Sequence, residues 1–160
     1  MTSRRQFLQT GLLGSLLLGA AGCSASAAEA GRRAVLTALV PAFVATLPSG
    51  PEQRASAVAR TVSGVEKAIA GLAPTTQAEI GQLFALLAFP PTRLLVAGVW
   101  PAWETARVSE VAAFLAAWRH SRFDLLRTGY AGLHDLVLGA WYAHPDAWTP
   151  IGYPGPPTLK

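Results

Sequence analysis

Apolar residues recur in steps of three and four along most of the chain, and this spacing constrains the fold more than any other feature. One such stripe consists of Ala55, Val58, Val62, Val65, Ile69 and Leu72. Another consists of Phe123, Leu126, Tyr130, Leu133, Val137 and Ala140. Steps of this size place all members of a stripe on one face of an α-helix. No segment alternates in the manner of a β-strand, so the sequence predicts an all-α fold.

Prolines and glycines divide the chain into about five predicted helices, which we expect to form a compact bundle. The strongest breaks are Pro48-Ser49-Gly50-Pro51, the stretch from Gly71 to Pro74, and Pro90-Pro91. Ser49 with Glu52, and Thr76 with Glu79, have the spacing of a capping box at a helix start.

Three glycines, Gly129, Gly132 and Gly139, lie inside the last predicted helix. Each glycine costs about 1 kcal/mol relative to alanine in a helix interior. Their presence predicts that another backbone approaches this face closely. That backbone belongs either to a helix of the same bundle or to another subunit.

The last residues, 146–160, form a segment rich in proline and aromatic residues, which predicts an extended tail. Five prolines between residues 145 and 157 exclude a helix longer than one turn. The spaced Trp148, Ile151, Tyr153 and Pro154 either pack back on the helices or lie on a partner protein. Aromatic residues are enriched at interface hot spots, so we expect these four residues to be interface anchors, supported by Trp100 and Trp103.

The first residues have the pattern of an export signal. Arg4 and Arg5 are followed by Phe7 and Leu8, which matches the twin-arginine motif Ser/Thr-Arg-Arg-x-Phe-Leu, and an apolar run from Leu12 to Ala21 follows. That run is shorter than the roughly 20 apolar residues that span a bilayer. A basic start, a short apolar run and a small-residue end indicate a signal peptide over residues 1–27 and a periplasmic protein.

The end of the signal allows two interpretations. Cys23 is the only cysteine and follows small residues, as in a lipobox, where the thiol receives diacylglycerol. The alternative is ordinary cleavage after Ala25-Ser26-Ala27. Two acyl chains on Cys23 would anchor the protein stably to a membrane, and we expect no other membrane attachment.

Charge and side-chain chemistry exclude several functions for the remaining chain, which we divide into a helical domain at 28–145 and the tail at 146–160. Removing residues 1–22 takes away Arg4 and Arg5 and no acid, so the net charge falls from +4 to +2, too little for a nucleic-acid binder. His134 and His144 are ten residues apart, which is not the i, i+4 spacing of a chelating pair on a helix. No nucleophile motif or phosphate loop is present. We therefore expect no catalytic residue, no metal and no cofactor in this chain.

The two ends of the chain resemble a known family. Trp141-Tyr142-Ala143-His144-Pro145-Asp146-Ala147-Trp148, then Ile151-Gly152-Tyr153-Pro154-Gly155-Pro156-Pro157, together with the twin-arginine signal, resemble the small subunits that accompany flavin-dependent dehydrogenases. These are the gluconate 2-dehydrogenase subunit 3-like and sorbitol dehydrogenase small-subunit-like proteins.

The resemblance implies a role for the chain. In that family the small subunit binds no cofactor and is not an enzyme. Its partner is a large FAD-dependent dehydrogenase of the glucose-methanol-choline type, which it stabilises and carries through the twin-arginine route. A cytochrome c subunit or a quinone then receives the electrons. The alternatives from the residues alone are a free-standing lipid-anchored helical envelope protein and a helical bundle that binds a small ligand.

Overall fold

The structure is a computed structural model that describes residues 26–156. Residues 1–25 of the predicted export signal, Cys23 among them, lie outside the described residues, as do the last four residues of the chain. Within the described part the regular structure is entirely helical, which confirms the all-α prediction. The helices are α1 (residues 26–43), α2 (Pro51–Ala70), α3 (Pro74–Ala88), α4 (Pro90–Thr92, continued by the π-helix Arg93–Ala97), α5 (Val108–Arg119) and α6 (Asp124–Tyr142).

The predicted count of about five helices is too low for the described residues, because the chain also contains short helical segments. Helix α3 ends at Ala88, and α4 begins at Pro90 after the single residue Phe89. Pro90 and Pro91 cause this break, since proline fits the first turn of a helix but not its interior. Proline also opens the first turn of α2 and of α3, and no side chain caps either helix. The two predicted capping boxes are therefore wrong.

The core lies between α6 and the helices that pack on it. Helix α6 contacts both α2 and α5. Phe43, at the end of α1, lies against the rings of Tyr130 and His134 on α6, with centroids 5.8 and 5.7 Å away. The largest fully buried side chains come from five helices and one loop: Val35, Leu36, Leu39 and Val40; Val65; Phe84 and Leu87; Val99; Val111; Leu133 and Val137.

The tail is not extended over its first half, which corrects the sequence prediction. Residues Pro145–Ala147 and Thr149–Ile151 form two single 3₁₀ turns, and Ala147 is fully buried. Trp148 is half-buried, and its Nε1 donates a hydrogen bond of 2.8 Å to the carbonyl oxygen of Tyr142. Proline permits this arrangement because a single turn leaves few backbone N–H groups to bond inside it.

The glycines of α6 do not all have the close neighbour that the sequence predicts. Apart from its chain neighbours and the backbone of α6 itself, a Cβ atom added at Gly132 or at Gly139 would have no atom of the described chain within 4 Å. At Gly129 it would lie 2.8 Å from Cζ3 of Trp118, which is a side chain of α5 and not a backbone. Only Gly129 is therefore explained by packing within the described part of the chain.

Candidate interaction surface

The largest exposed apolar side chains between the end of α3 and the loop before α5 form a feature that we call the apolar segment. It is defined by Leu86, Phe89, Leu95, Val96 and Trp100. Leu95 is 86% exposed and Trp100 is 80% exposed. Scattered exposed apolar residues are ordinary on protein surfaces, but several large ones within fifteen residues make this stretch a candidate interaction site.

The backbone of the apolar segment is held firmly by side chains from beneath it. Trp118 Nε1 on α5 donates to the carbonyl oxygen of Val96 at 3.0 Å. Arg93 donates from Nε to the carbonyl oxygen of Val99 at 3.2 Å and from Nη2 to that of Trp100 at 3.3 Å. The exposed residues are thus presented on an ordered scaffold, which lowers the entropy cost of binding a partner.

Trp103 does not belong to the exposed surface, which corrects its prediction as an interface residue. Its side chain is 4% exposed, and its Nε1 donates to the carbonyl oxygen of Leu87 at 2.7 Å. Its ring packs edge-on against Phe114 of α5, with centroids 6.0 Å apart. Trp103 therefore fixes the loop from inside, whereas Trp100 of the same loop faces solvent.

The predicted interface residues of the tail differ in exposure. Ile151, Tyr153 and Pro154 are exposed. Trp148 is half-buried and supports Tyr153, whose ring lies edge-on at 5.5 Å and whose backbone N–H donates to the Trp148 carbonyl oxygen at 3.0 Å. Trp148 therefore anchors the tail to its own chain, and the three exposed residues are the ones available to a partner.

The predicted interface residues fall into two groups, Trp100 in the apolar segment and the residues of the tail, and these are attached to different parts of α6. The apolar segment is attached through Trp118, whose ring lies against Gly129 near the start of α6. The tail is attached through Trp148 at Tyr142, the last residue of that helix. Thirteen residues separate the two attachment points, which corresponds to about 20 Å along the helix.

The start of α1 lies beside the apolar segment. A Cβ atom at Gly31 would be 3.0 Å from the Cβ of Ala88, which is the last residue of α3 and the neighbour of Phe89. The chain that follows the predicted signal therefore reaches the protein next to this surface. Nothing in the sequence alone indicated this proximity.

The titratable groups of the described residues form no cluster of three or more metal-ligating side chains. The clearest electrostatic effect is at the start of α5, where Arg107 donates a side-chain hydrogen bond to Glu110 and lowers the pKa of that carboxyl below its ordinary value. Glu110 in turn accepts the backbone N–H of Arg107 at 2.8 Å, so the pair stabilises the first turn of the helix.

No single helix of the described region is both long and apolar enough to cross a membrane. The pair Pro74–Ala88 and Pro90–Ala97 meets the criteria of length and composition only when taken together, and it is bent by 79°. This bent pair contains most of the apolar segment.

The exposure of Leu86, Phe89 and Leu95 was not predicted from the sequence. The stretch from residue 93 to 99 reads as a short apolar run, which is as typical of a buried helix as of an exposed one. The only sequence signal was Pro90-Pro91, which turns the chain sharply and leaves one side of this short helix without a neighbouring helix.

Comparisons of the chain with models of known families, with curated proteins and with solved structures find no match.

Proposed function

We propose that this chain is a non-catalytic, cofactor-free small subunit that binds a large FAD-dependent dehydrogenase, stabilises it and carries it out of the cytoplasm. In this proposal the helices form a compact bundle, the twin-arginine signal at Arg4 and Arg5 addresses the complex to the export route, and the FAD belongs to the partner. The partner is an enzyme of the glucose-methanol-choline type, which passes its electrons to a cytochrome c subunit or a quinone in the periplasm.

The apolar segment is the observation that carries the proposal. Its two most exposed members, Leu95 and Trp100, would each gain about 1.5–3 kcal/mol if a partner buried them fully. Aromatic side chains that are presented on a rigid backbone are typical hot spots of protein interfaces. A chain that is exported while folded and exposes such a surface is well suited to bind another folded protein before export.

The start of α1 beside Ala88 also supports this function. A partner bound on the apolar segment would lie close to the residue at which the signal joins the folded part. The two proteins would then be presented to the export machinery as one particle. The exposed tail residues Ile151 and Tyr153 offer a second contact, further along α6.

The experiment is the purification of the tagged chain from envelope extracts, with bound flavin measured by its visible absorbance. Leu95→Ser and Trp100→Ser should each reduce the recovered flavoprotein at least about tenfold, since the loss of one buried large side chain exceeds 1.4 kcal/mol. Leu125→Ser is the matched control, because Leu125 is an 81% exposed leucine outside the segment. All three variants should keep the helical circular dichroism of the wild type.

Retention of the flavoprotein by both segment variants would contradict the assigned surface. A truncation that removes residues 151–160 but keeps Trp148 tests the tail separately. Partner loss only in that truncation would move the interface to the tail. Failure to recover any flavoprotein with the wild-type chain would contradict the proposal as a whole.

The second candidate is a free-standing lipid-anchored protein whose apolar segment lies on the membrane. The bent helix pair and its position next to the start of α1 favour it, because Cys23 would be only eight residues before Gly31. Under this function the wild-type chain would carry no flavin. A Cys23→Ala form would leave the membrane fraction because its acyl chains are lost, but it would still bind added lipid vesicles weakly through the apolar segment. Leu95→Ser would reduce that remaining binding.

A further inference from the structure

The N-terminal end of α1 brings the preceding chain close to the apolar segment. Helix α1 begins at Ser26, and a Cβ atom added at its Gly31 would lie 3.0 Å from the Cβ of Ala88. The residue after Ala88 is Phe89, a member of the apolar segment. Ser26 and Gly31 are separated by about 7.5 Å of helix. The residues before Ser26 therefore join the described protein near this surface.

The apolar run of the predicted signal, from Leu12 to Ala21, ends only five residues before Ser26. Five residues span at most about 18 Å, even when they are fully extended. The run is thus tethered within reach of the apolar segment. A short tether of this kind gives an effective concentration on the order of millimolar, so even a weak contact within the chain would be well populated.

The chemistry of the two stretches matches. Between residues 80 and 103 the one charged residue is Arg93, and its guanidinium donates hydrogen bonds to the carbonyl oxygens of Val99 and Trp100. The apolar segment therefore fits an apolar, uncharged occupant. The run from Leu12 to Ala21 contains five leucines, and no residue between 6 and 28 is charged. Burial of one leucine against such a surface is worth about tenfold or more in binding.

We propose that, before export, the apolar run from Leu12 to Ala21 packs on the apolar segment of its own chain and covers Leu95 and Trp100. A partner bound on the same surface would displace the run. The signal is then released only in the loaded complex, and a chain without its partner is held back from export. This competition rests on the proposed function, whereas the contact within the chain does not.

The first test is photo-crosslinking of the full-length chain, made in a membrane-free extract so that the signal stays uncleaved. The photoreactive residue p-benzoylphenylalanine replaces Leu95, which is 86% exposed, or Leu125, which is 81% exposed and lies outside the segment. Peptide mapping by mass spectrometry then locates the crosslinks. We expect position 95 to crosslink to residues 12–21 of the same molecule, at a yield that does not change on dilution, and position 125 not to do so.

Two signal variants test whether the apolar character of the run makes the contact. Leu17→Asp places a charge inside the run and should reduce the crosslink from position 95 at least about tenfold. Gln9→Asp adds the same charge outside the run and should leave the yield unchanged. Equal effects of the two variants, equal crosslinking from positions 95 and 125, or no crosslink to residues 12–21 would each overturn the proposal. Crosslinks that form only between molecules would assign the surface to a second copy instead.

The second test adds the flavoprotein recovered with the tagged chain. Saturating flavoprotein should reduce the crosslink between position 95 and residues 12–21 at least about tenfold, since both occupants need the same leucine. An unchanged crosslink in the presence of bound flavoprotein would overturn the competition. Failure of the wild-type chain to recover any flavoprotein would contradict the proposed function, while the first test would still decide the contact within the chain.

Discussion

Alanine substitutions at the glycines of α6 test the packing of this helix, because the structure predicts opposite signs at neighbouring positions. Gly132 and Gly139 are exposed, and an added Cβ would meet no atom of the described chain outside α6 itself. Gly132→Ala and Gly139→Ala should each stabilise the isolated protein by up to about 1 kcal/mol, which is the difference in helix propensity.

Gly129→Ala should instead destabilise the protein. The same gain of about 1 kcal/mol is offset, because the new Cβ would lie 2.8 Å from the ring of Trp118, and overpacking of this kind costs about 1–3 kcal/mol. The ring has little freedom to move: it is buried, it packs against Phe114 at 4.9 Å, and its hydrogen bond to Val96 is worth about 1 kcal/mol. The net cost is therefore up to about 2 kcal/mol relative to the wild type.

Urea unfolding followed by far-UV circular dichroism measures these differences, and a thermal melt should move by about 4 °C for each kcal/mol. A Gly129→Ala variant as stable as Gly132→Ala would refute the predicted packing of α5 on α6. A destabilised Gly132→Ala variant would contradict the exposure of this face, because it would mean that something covers it in the isolated protein.

Three further substitutions have expected outcomes. Trp103→Phe removes the hydrogen bond to Leu87 and leaves a buried carbonyl oxygen without a donor, so urea unfolding should give a free energy lower by about 1–3 kcal/mol. The pKa of Glu110 is lowered in the folded state, so this carboxylate stabilises the fold at a pH above its ordinary pKa. That stabilisation is lost as the pH falls through the folded pKa. Glu110→Gln should therefore flatten this part of the plot of unfolding free energy against pH. Cys23→Ala should release the protein from the membrane fraction if the cysteine carries the acyl chains, and unchanged fractionation would favour ordinary signal cleavage.

The helical stripes were predictable because burial on one face is a local pattern. Val58, Val62, Val65 and Ile69 of the α2 stripe are all buried, as the spacing indicates. Leu72 is exposed because it lies beyond the last residue of α2, where the chain no longer follows the face that packs on the core.

The orientation of individual aromatic residues could not be predicted in the same way. Trp100 and Trp103 stand three residues apart in one loop, yet one is exposed and the other is buried. The difference depends on the carbonyl oxygen of Leu87, which becomes an acceptor for Trp103 only when α3 and the loop are in place. Similarly, the tail was predicted to be extended because its prolines are visible in the sequence, whereas the acceptor at Tyr142 that folds it back is not.

Helix starts were mispredicted for a related reason. Ser49 and Thr76 have suitable capping partners in the sequence, but the prolines at the first turns of α2 and α3 fix where these helices begin. Glu110 is the carboxylate that does bond a helix start, and it lies three residues after Arg107, the N-cap of α5. Arginine is not a typical N-cap residue, so the sequence pattern gave no indication of this bond.

The most direct test of the proposed function is the location of the flavoprotein when the export signal of this chain is inactivated. Arg4-Arg5 is replaced by Lys-Lys, and flavin-dependent dehydrogenase activity is measured in the periplasmic and cytoplasmic fractions. We expect this chain and the flavoprotein both to remain in the cytoplasm, because the proposed partner would depend on this signal. Normal dehydrogenase activity in the periplasm, with the small subunit retained in the cytoplasm, would contradict it.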